Sequence, residues 1–411
     1  ITRDPIFAVE AQRIFDYVMR DMTDADGGFY SAEDADSAID PADPHEKGEG
    51  AFYIWKQSEI ESEIQALAGQ PAARWFCYRY GVQPDGNVAN GPQNEFIGRN
   101  ILFQEHSIEE TADRFERPVE EVRAKVEAAE AQLLAERSKR VRPHLDDKVL
   151  TAWNGLMISA FAKGGAILDD SRYAQAARRA SDFVAKRMYD AESGILLRRY
   201  RKGDAAIPGF LDDYAFFAQA LLDEYETSFE FRDLALAIKL TEKQLELFED
   251  KKHGAFFSSS DGDSSLVVRM KEDYDGAEPS GNSIAVLNLL RLAQMTSRED
   301  FRVPAEKSLR AFAERISTMP SGVPQMLVAY GFSLAKPKQV ILAGGKSSPE
   351  LHQFLRVLHA HFLPEAIVML AEDAAVENMK PIDGRAAAYV CENFACKLPI
   401  TDPAKLGELL Q

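Results

Sequence analysis

A chain of 411 residues, 45% hydrophobic and 28% charged, carries enough apolar material for a sizeable core, and its length allows about two to three domains. Its net charge of -18, with no Lys/Arg cluster that stands out, argues against binding to nucleic acid or to an anionic membrane. Three cysteines are too few for a disulfide framework, no apolar run approaches the roughly 20 residues of a membrane span, and no signal or transit pattern opens the chain, so a reducing, cytoplasmic setting is expected.

The chain opens Ile-Thr-Arg-Asp and reads as a piece of a longer protein. Pro5 to Met22 predicts an amphipathic helix with Ile6, Val9, Ile14, Tyr17 and Val18 toward a core, an outer helix whose inner partner is missing. Gly27-Gly28-Phe29-Tyr30 then punctuates a hairpin whose return strand is expected at Ala51 to Trp55. Residues 38–50, with Pro41, Pro44, Gly48 and Gly50, are read as an insertion, and such insertions commonly cover a binding site. Asp24, Asp26, Gly27 and Glu33 fall at positions three, five, six and twelve of an EF-hand loop. Met22 holds the first position, and a thioether is a poor ligand for a hard cation, so no metal is expected.

Helices follow at Gln57 to Leu67 and Pro71 to Tyr80, a turn at Pro84 to Asn87, and a short strand near Ile101 to Gln104. Ser107 with Glu110 forms a capping box, and Pro118 opens an outer helix running to about Arg140. Asp146 to Leu168 is apolar or small on nearly every side, which marks an inner helix buried all round. Ser171 to Tyr189 is amphipathic, its outer neighbour. The pair recurs as Asp212 to Tyr225 with Asp233 to Phe248, and as Asn282 to Ala293 with Pro304 to Ile316.

Glycine-bearing segments, Ser193 to Leu196, His253 to Phe257 and Ser321 to Val323, separate the pairs, the first two as small hairpins. From Gly194 to Gly254 and on to Gly322 the repeat is 60 and then 68 residues, longer than the roughly 34 to 47 of tetratricopeptide or HEAT units. The expected fold is mainly α, an (α/α) toroid with short β-hairpins over residues 1–335, lacking its first helices. Residues 336–411 form a small C-terminal α/β appendage: strands at Gln339 to Ala343, Ala366 to Leu370 and Ala388 to Cys391, with helices after Ser348 and Thr401. Cys391 and Cys396 are expected as ordinary semi-buried thiols.

Carboxylates recur at corresponding places in the repeats: Asp146 and Asp147, Asp212 and Asp213, Asp275 and Glu278, each at or just before an inner helix. In a ring the inner helices run the same way, so these acids share one rim, with Trp153 and Asn154, Phe210 and Tyr214, Tyr274 and Asn282 beside them. Acids, amides and flat rings suit a neutral polyol such as a sugar. An Asp before a helix is also a common N-cap, and one member of each pair is expected to do only that.

Four motifs carry a resemblance: Gly-Gly-Phe-Tyr-Ser-Ala-Glu-Asp-Ala-Asp-Ser (27–37), Asp-Asp-Lys-x-Leu-Thr-x-Trp-Asn-Gly-Leu-Met-Ile (146–158), Phe-Leu-Asp-Asp-Tyr-Ala (210–215) and Glu-Pro-Ser-Gly-Asn-Ser (278–283). They resemble the signatures of the YyaL family of spermatogenesis-associated thioredoxin-like proteins. The resemblance implies a toroid of the six-hairpin glycosidase and N-acylglucosamine 2-epimerase type, and an N-terminal thioredoxin-like domain that this chain lacks.

The expected function is therefore carbohydrate binding or processing, glycosidase- or epimerase-like. Asp146, Asp212 and Glu278 are the candidate catalytic acids, and Glu33, Asp34, Asp36, Asp147, Trp153, Asn154, Asp213, Tyr214, Tyr274 and Asn282 the candidate substrate-binding groups. The first motif, with Glu33, Asp34 and Asp36, is expected to fold over the same rim. Glycoside hydrolysis needs two carboxyls about 5 to 9.5 Å apart. Epimerisation has less support, since of seven histidines only His144 neighbours the rim acids in sequence. No cofactor is expected. The expected partners are a small sugar and the thioredoxin-like domain of the full-length protein; the rival reading is a non-catalytic scaffold that presents that domain to a partner protein.

Overall fold

The computed structural model describes residues 2–40, 42–88, 96–261, 268–335, 337–373, 379–392 and 395–410. Pro41 of the expected insertion, Lys336 at the expected domain boundary, and the terminal Ile1 and Gln411 lie outside them. Two compact units are present, Ile1–Ser31 with Asp147–Gln411, and Ala32–Asp146; both sides of the expected 335/336 boundary fall in the first.

The first unit opens with α1 (Pro5–Asp21), where the Asp4 carboxylate accepts from the Ile6 amide at 3.0 Å and Pro5 occupies the first turn. Its buried side chains are Phe15 and Val18; the Phe15 ring lies 4.5 Å from Phe161 and 4.9 Å from Tyr173. Ile6, Val9 and Ile14, expected to face a core, are exposed. The contact stripe follows the i, i+3 pair instead.

The second unit contains β1 (Ala32–Glu33), β2 (Asp36–Asp40), β3 (Asp43–Glu49), α2 (Gln57–Ala68), α3 (Gln70–Arg79), α4 (Ile108–Phe115), α5 (Val119–Arg137) and β4 (Leu145–Asp146). Ile60, Ile64, Trp75, Phe76, Val122 and Val126 build its core. Antiparallel ladders join β1 to β4 and β2 to β3. The expected insertion is thus largely a polar hairpin, invisible to a search for apolar alternation. No strand forms at Ala51 to Trp55 or at Ile101 to Gln104; a single bridge joins Trp55 to Asn100.

The first unit resumes with β5 (Val149–Leu150), α6 (Thr151–Ile167), α7 (Ser171–Arg187), β6 (Tyr189–Asp190), β7 (Ile195–Arg201), β8 (Asp204–Pro208), α8 (Leu211–Ser228) and α9 (Phe231–Phe248). Then come α10 (Gly281–Thr296), α11 (Glu299–Ala311), α12 (Ala313–Thr318) and α13 (Pro324–Leu334). Helices α6, α8, α10 and α13 pack side by side in that order, while α7, α9 and α11 each lie against the helix that precedes them. This is the inner and outer alternation of an (α/α) toroid. The inner row is the buried one: in α8 every residue from Asp213 to Ala218 is buried.

Helix α13 is a fourth inner helix that the repeat count passed over. Ser321 to Val323, read as a connector, overlaps a single 3₁₀ turn, Pro320–Gly322, that leads into it. Pro324 in the first turn and Met326, Ala329 and Phe332 at helical spacing on the buried side were its signal. The hairpin expected at His253 to Phe257 reduces to one bridge between Glu249 and Phe256.

The chain closes with β9 (Lys338–Ala343), α14 (Pro349–His359), β10 (Ala366–Leu370), β11 (Ala387–Glu392), β12 (Ala395–Cys396) and α15 (Pro403–Leu410). The sheet order is β10-β9-β11-β12, with β10 parallel to β9 and the other neighbours antiparallel, the α/β appendage. Cys391 and Cys396 face each other across β11 and β12 and are joined in a disulfide, which corrects their expectation as thiols. Cys77 is the free, buried cysteine. Among the described residues no helix is long and apolar enough to cross a membrane, and no cluster of His, Cys, Asp or Glu could hold a metal ion.

Candidate functional site

The starts of the inner helices converge. The amide of Ala152, in the first turn of α6, donates to Asp213 in the first turn of α8 at 3.0 Å. A Cβ placed on Gly281, which opens α10, would lie 3.1 Å from the Asp212 amide nitrogen. The indole N–H of Trp153 on α6 reaches Glu278 just before α10 at 2.9 Å. Toward the other ends, Lys163 of α6 and Arg291 of α10 both meet Asp223 of α8. The three helices therefore run in the same direction and share one N-terminal rim.

Half of the sequence candidates on this rim are spent on holding it together. Asn154 accepts from the Phe29 amide at 2.8 Å and donates to the carbonyls of Phe29 and Leu150, both at 2.9 Å. Asn282 repeats the device, accepting from the Phe256 amide at 2.8 Å and donating to the carbonyls of Phe256 and Glu272. The Tyr214 hydroxyl accepts from the Leu196 amide at 2.8 Å. Each inner helix thus clamps the backbone of the glycine-marked segment that packs on it. All three side chains are buried, and buried polar groups need such partners. Asp275, also buried, accepts from the amides of Ser280, Gln325 and Met326, so it ties the approach to α10 to the first turn of α13.

Asp213 is likewise internal. It accepts from the amides of Ala152 and Phe210 and, at 2.9 Å, from the Arg198 guanidinium. Burial and the neighbouring Asp212 push its carboxyl up to about 7, against the pull of Arg198 and the Phe210 N–H. Asp212 stays half-buried and takes two contacts of 3.2 Å from the same guanidinium. Arg198 also lies 4.7 Å over the Phe210 ring. Asp147 pairs with Arg201 and, at 3.7 Å, with Lys202; burial opposes its ionisation, yet these cations hold it below the usual carboxylate range.

What faces solvent is a smaller group. Trp153 is 45% exposed and Tyr274 is 56% exposed, although each has a buried neighbour in sequence, Asn154 and Asp275. The exposed Glu278 carboxylate is bonded to a neutral indole and has no ion pair among the described residues. An open indole face with a carboxylate fixed at its edge can stack on a C–H face and accept from hydroxyls, and Asp212 is a second acid on the same rim.

No family model matches the chain. Over 440 aligned residues, covering 100% of this chain, it is 35% identical to spermatogenesis-associated protein 20 of Homo sapiens and of Mus musculus. This chain is a homologue of spermatogenesis-associated protein 20. It spans 55% of the length of either relative. A Caenorhabditis elegans protein is 32% identical over 420 residues, 96% of this chain and 56% of its own.

Among solved structures, the chain is similar to a cellobiose 2-epimerase from Spirochaeta thermophila at 18% identity and TM-score 0.34, covering 40% of this chain and 43% of that one. A family 76 α-1,6-mannanase from Salegentibacter matches at 12% identity and TM-score 0.35, covering 62% and 70%. A family 105 glycoside hydrolase from C. acetobutylicum matches at 12% and 0.36, covering 65% and 78%. Likeness this distant carries no substrate across.

The remaining candidates, Glu33, Asp34, Asp36 and Asp146, belong to the second unit. Glu33 accepts from the Tyr53 hydroxyl at 2.8 Å and from Arg142 at 2.6 Å; the Asp34 amide donates to the His144 carbonyl. Asp36 is exposed and pairs with Glu49 in the hairpin ladder, and Asp146 pairs with Ala32. The groups that sequence reasoning missed are Arg198 and Arg201. Their signal was the run Arg198-Arg199-Tyr200-Arg201, a basic stretch in an acidic chain, placed shortly before the paired aspartates.

Proposed function

We propose that the inner-helix rim binds a neutral carbohydrate, with Trp153 as the stacking platform and Glu278 and Asp212 as acceptors for its hydroxyls. One observation carries the reading: Trp153 lies open to solvent while its indole N–H holds a carboxylate that no cation among the described residues neutralises. A buried structural tryptophan needs no such exposure, and an aromatic face beside an acceptor is what a sugar ring requires. Processing of that sugar, glycosidase- or epimerase-like, would draw on Glu278 and Asp212.

Arg198 favours a second reading. By bonding Asp212 together with Asp213 it neutralises one of the two acids that hydrolysis would use, as suits a non-catalytic scaffold for a thioredoxin-like domain. Calorimetric titration with a panel of neutral oligosaccharides, followed by chromogenic glycosides, separates the two. Binding that is lost in Trp153→Ala supports a carbohydrate site, and turnover lost in Glu278→Gln supports processing. A protein that binds no saccharide at millimolar concentration would leave the scaffold reading in place.

A further inference from the structure

The same inner helices enclose a second feature toward their opposite ends. A cavity of about 430 Å³ lies against α6, α8, α10 and α13, with residues between α14 and β10 along another wall. Its polar wall comes mainly from one face of α8, where Gln219, Asp223 and Glu226 stand at i, i+4 and i+7. Glu226 is fourteen positions beyond Asp212, about 21 Å along the helix at 1.5 Å per residue, so this is not the rim. Ala166, Leu287, Val328, Phe332 and Phe362 supply an apolar wall.

The polar wall is incompletely satisfied, and always in the same sense. Gln219 Oε1 and Glu226 Oε1 are buried atoms without a hydrogen-bond partner among the described residues. Both are acceptors, so what is missing is a donor. The charges point the same way. Arg291 is almost fully buried and is held between Asp223 at 2.8 Å and Glu226 at 3.0 Å. Lys163 is different: its ammonium meets Asp223 at 2.7 Å, but its side chain is 51% exposed and flexible, so it can leave. Without it, Arg291 alone faces the carboxyls of Asp223 and Glu226, and Asp223 loses the second of its two cations.

We propose that this cavity binds a small organic cation, a primary ammonium on an apolar body. The ammonium takes the place of Lys163 against Asp223 and turns its other N–H groups toward Gln219 Oε1 and Glu226 Oε1. Three donors then meet three acceptors on one helix face, and the body packs on the apolar wall. Lys163 acts as an internal competitor for the same carboxylate.

The test is calorimetric titration of the full chain with benzylammonium, and with benzyl alcohol as its neutral counterpart. Benzylammonium is expected to bind, and benzyl alcohol at least about tenfold more weakly, because it cannot satisfy the charge. Lys163→Met removes the competitor and should tighten benzylammonium binding several-fold while leaving benzyl alcohol unchanged. Gln219→Leu removes an acceptor and should weaken benzylammonium, with circular dichroism confirming that both variants fold. Equal binding of the two probes, a loss of binding in Lys163→Met, or no binding to wild type and Lys163→Met at millimolar concentration would each overturn the assignment.

Discussion

Trp153 and Asn154 are adjacent in sequence and opposite in use. One is open to solvent, and the other is buried with three backbone bonds. Asn282→Ala would strand the Phe256 amide and two carbonyls, and at about 1 to 3 kcal/mol for unsatisfied buried groups it should cost about 3 kcal/mol in urea unfolding. Trp153→Phe and Glu278→Gln should change stability by about 0.5 kcal/mol or less in the same assay, as exposed positions do. The sequence placed all of these residues at helix starts, which is where they are. It did not show which phase of the helix each occupies, because about 100° per residue separates a scaffold group from an accessible one and the direction of the core is a tertiary fact.

Glu224 supplies a prediction in pH. Burial raises its carboxyl from the ordinary 4.5 to about 7, only partly offset by Arg178 at 3.6 Å. The folded protein then binds more protons than the unfolded chain between these values, so stability is highest below about 4.5 for this group and falls as pH rises toward 7. Glu224→Gln should make that slope shallower, leaving the share that Asp213 contributes over the same range, and gain on wild type above pH 7 in melting temperature. A slope as steep in the variant as in wild type would mean that Glu224 does not contribute to it.

At the scale of elements, the contact between α6 and α8 depends on Gly155. A Cβ there would lie 2.5 Å from the Phe216 carbonyl carbon, and backbone cannot yield as a side-chain tip can. Gly155→Ala should therefore cost about 1 to 3 kcal/mol through forced separation of the two helices. Gly331 in α13 is the control, since nothing lies within 4 Å of its Cβ direction. Gly331→Ala should stabilise by about 0.5 to 1 kcal/mol through helix propensity, and thermal unfolding of the two variants checks both signs.

The inner and outer helices were legible because their apolar patterns differ all along their length. The β2 and β3 hairpin was not, since its residues are mostly polar, and α13 escaped because its connector, Ser321 to Val323, resembled the earlier punctuation. The Cys391 to Cys396 disulfide depends on strand register, and a spacing of five does not reveal which residues face each other.

At the scale of the whole molecule, the inner helices give each end a different chemistry: aromatic and acidic at their starts, ionic and apolar toward their ends. The net charge of -18 adds a selectivity that neither end specifies alone. Neutral saccharides approach without electrostatic penalty, whereas uronates or sugar phosphates are repelled, and their binding should improve with salt while that of neutral sugars stays flat in titrations across ionic strength.

The central claim is that Trp153 is a carbohydrate platform, and the tryptophan content makes it directly measurable. Trp55 and Trp75 are each 3% exposed, so of three tryptophans the solvent-accessible one is Trp153. Acrylamide quenching of tryptophan fluorescence should show an accessible fraction that Trp153→Phe abolishes and that a bound neutral oligosaccharide protects. Quenching that remains unchanged at saturating oligosaccharide concentrations, with the accessible fraction still assigned to Trp153, would contradict the account.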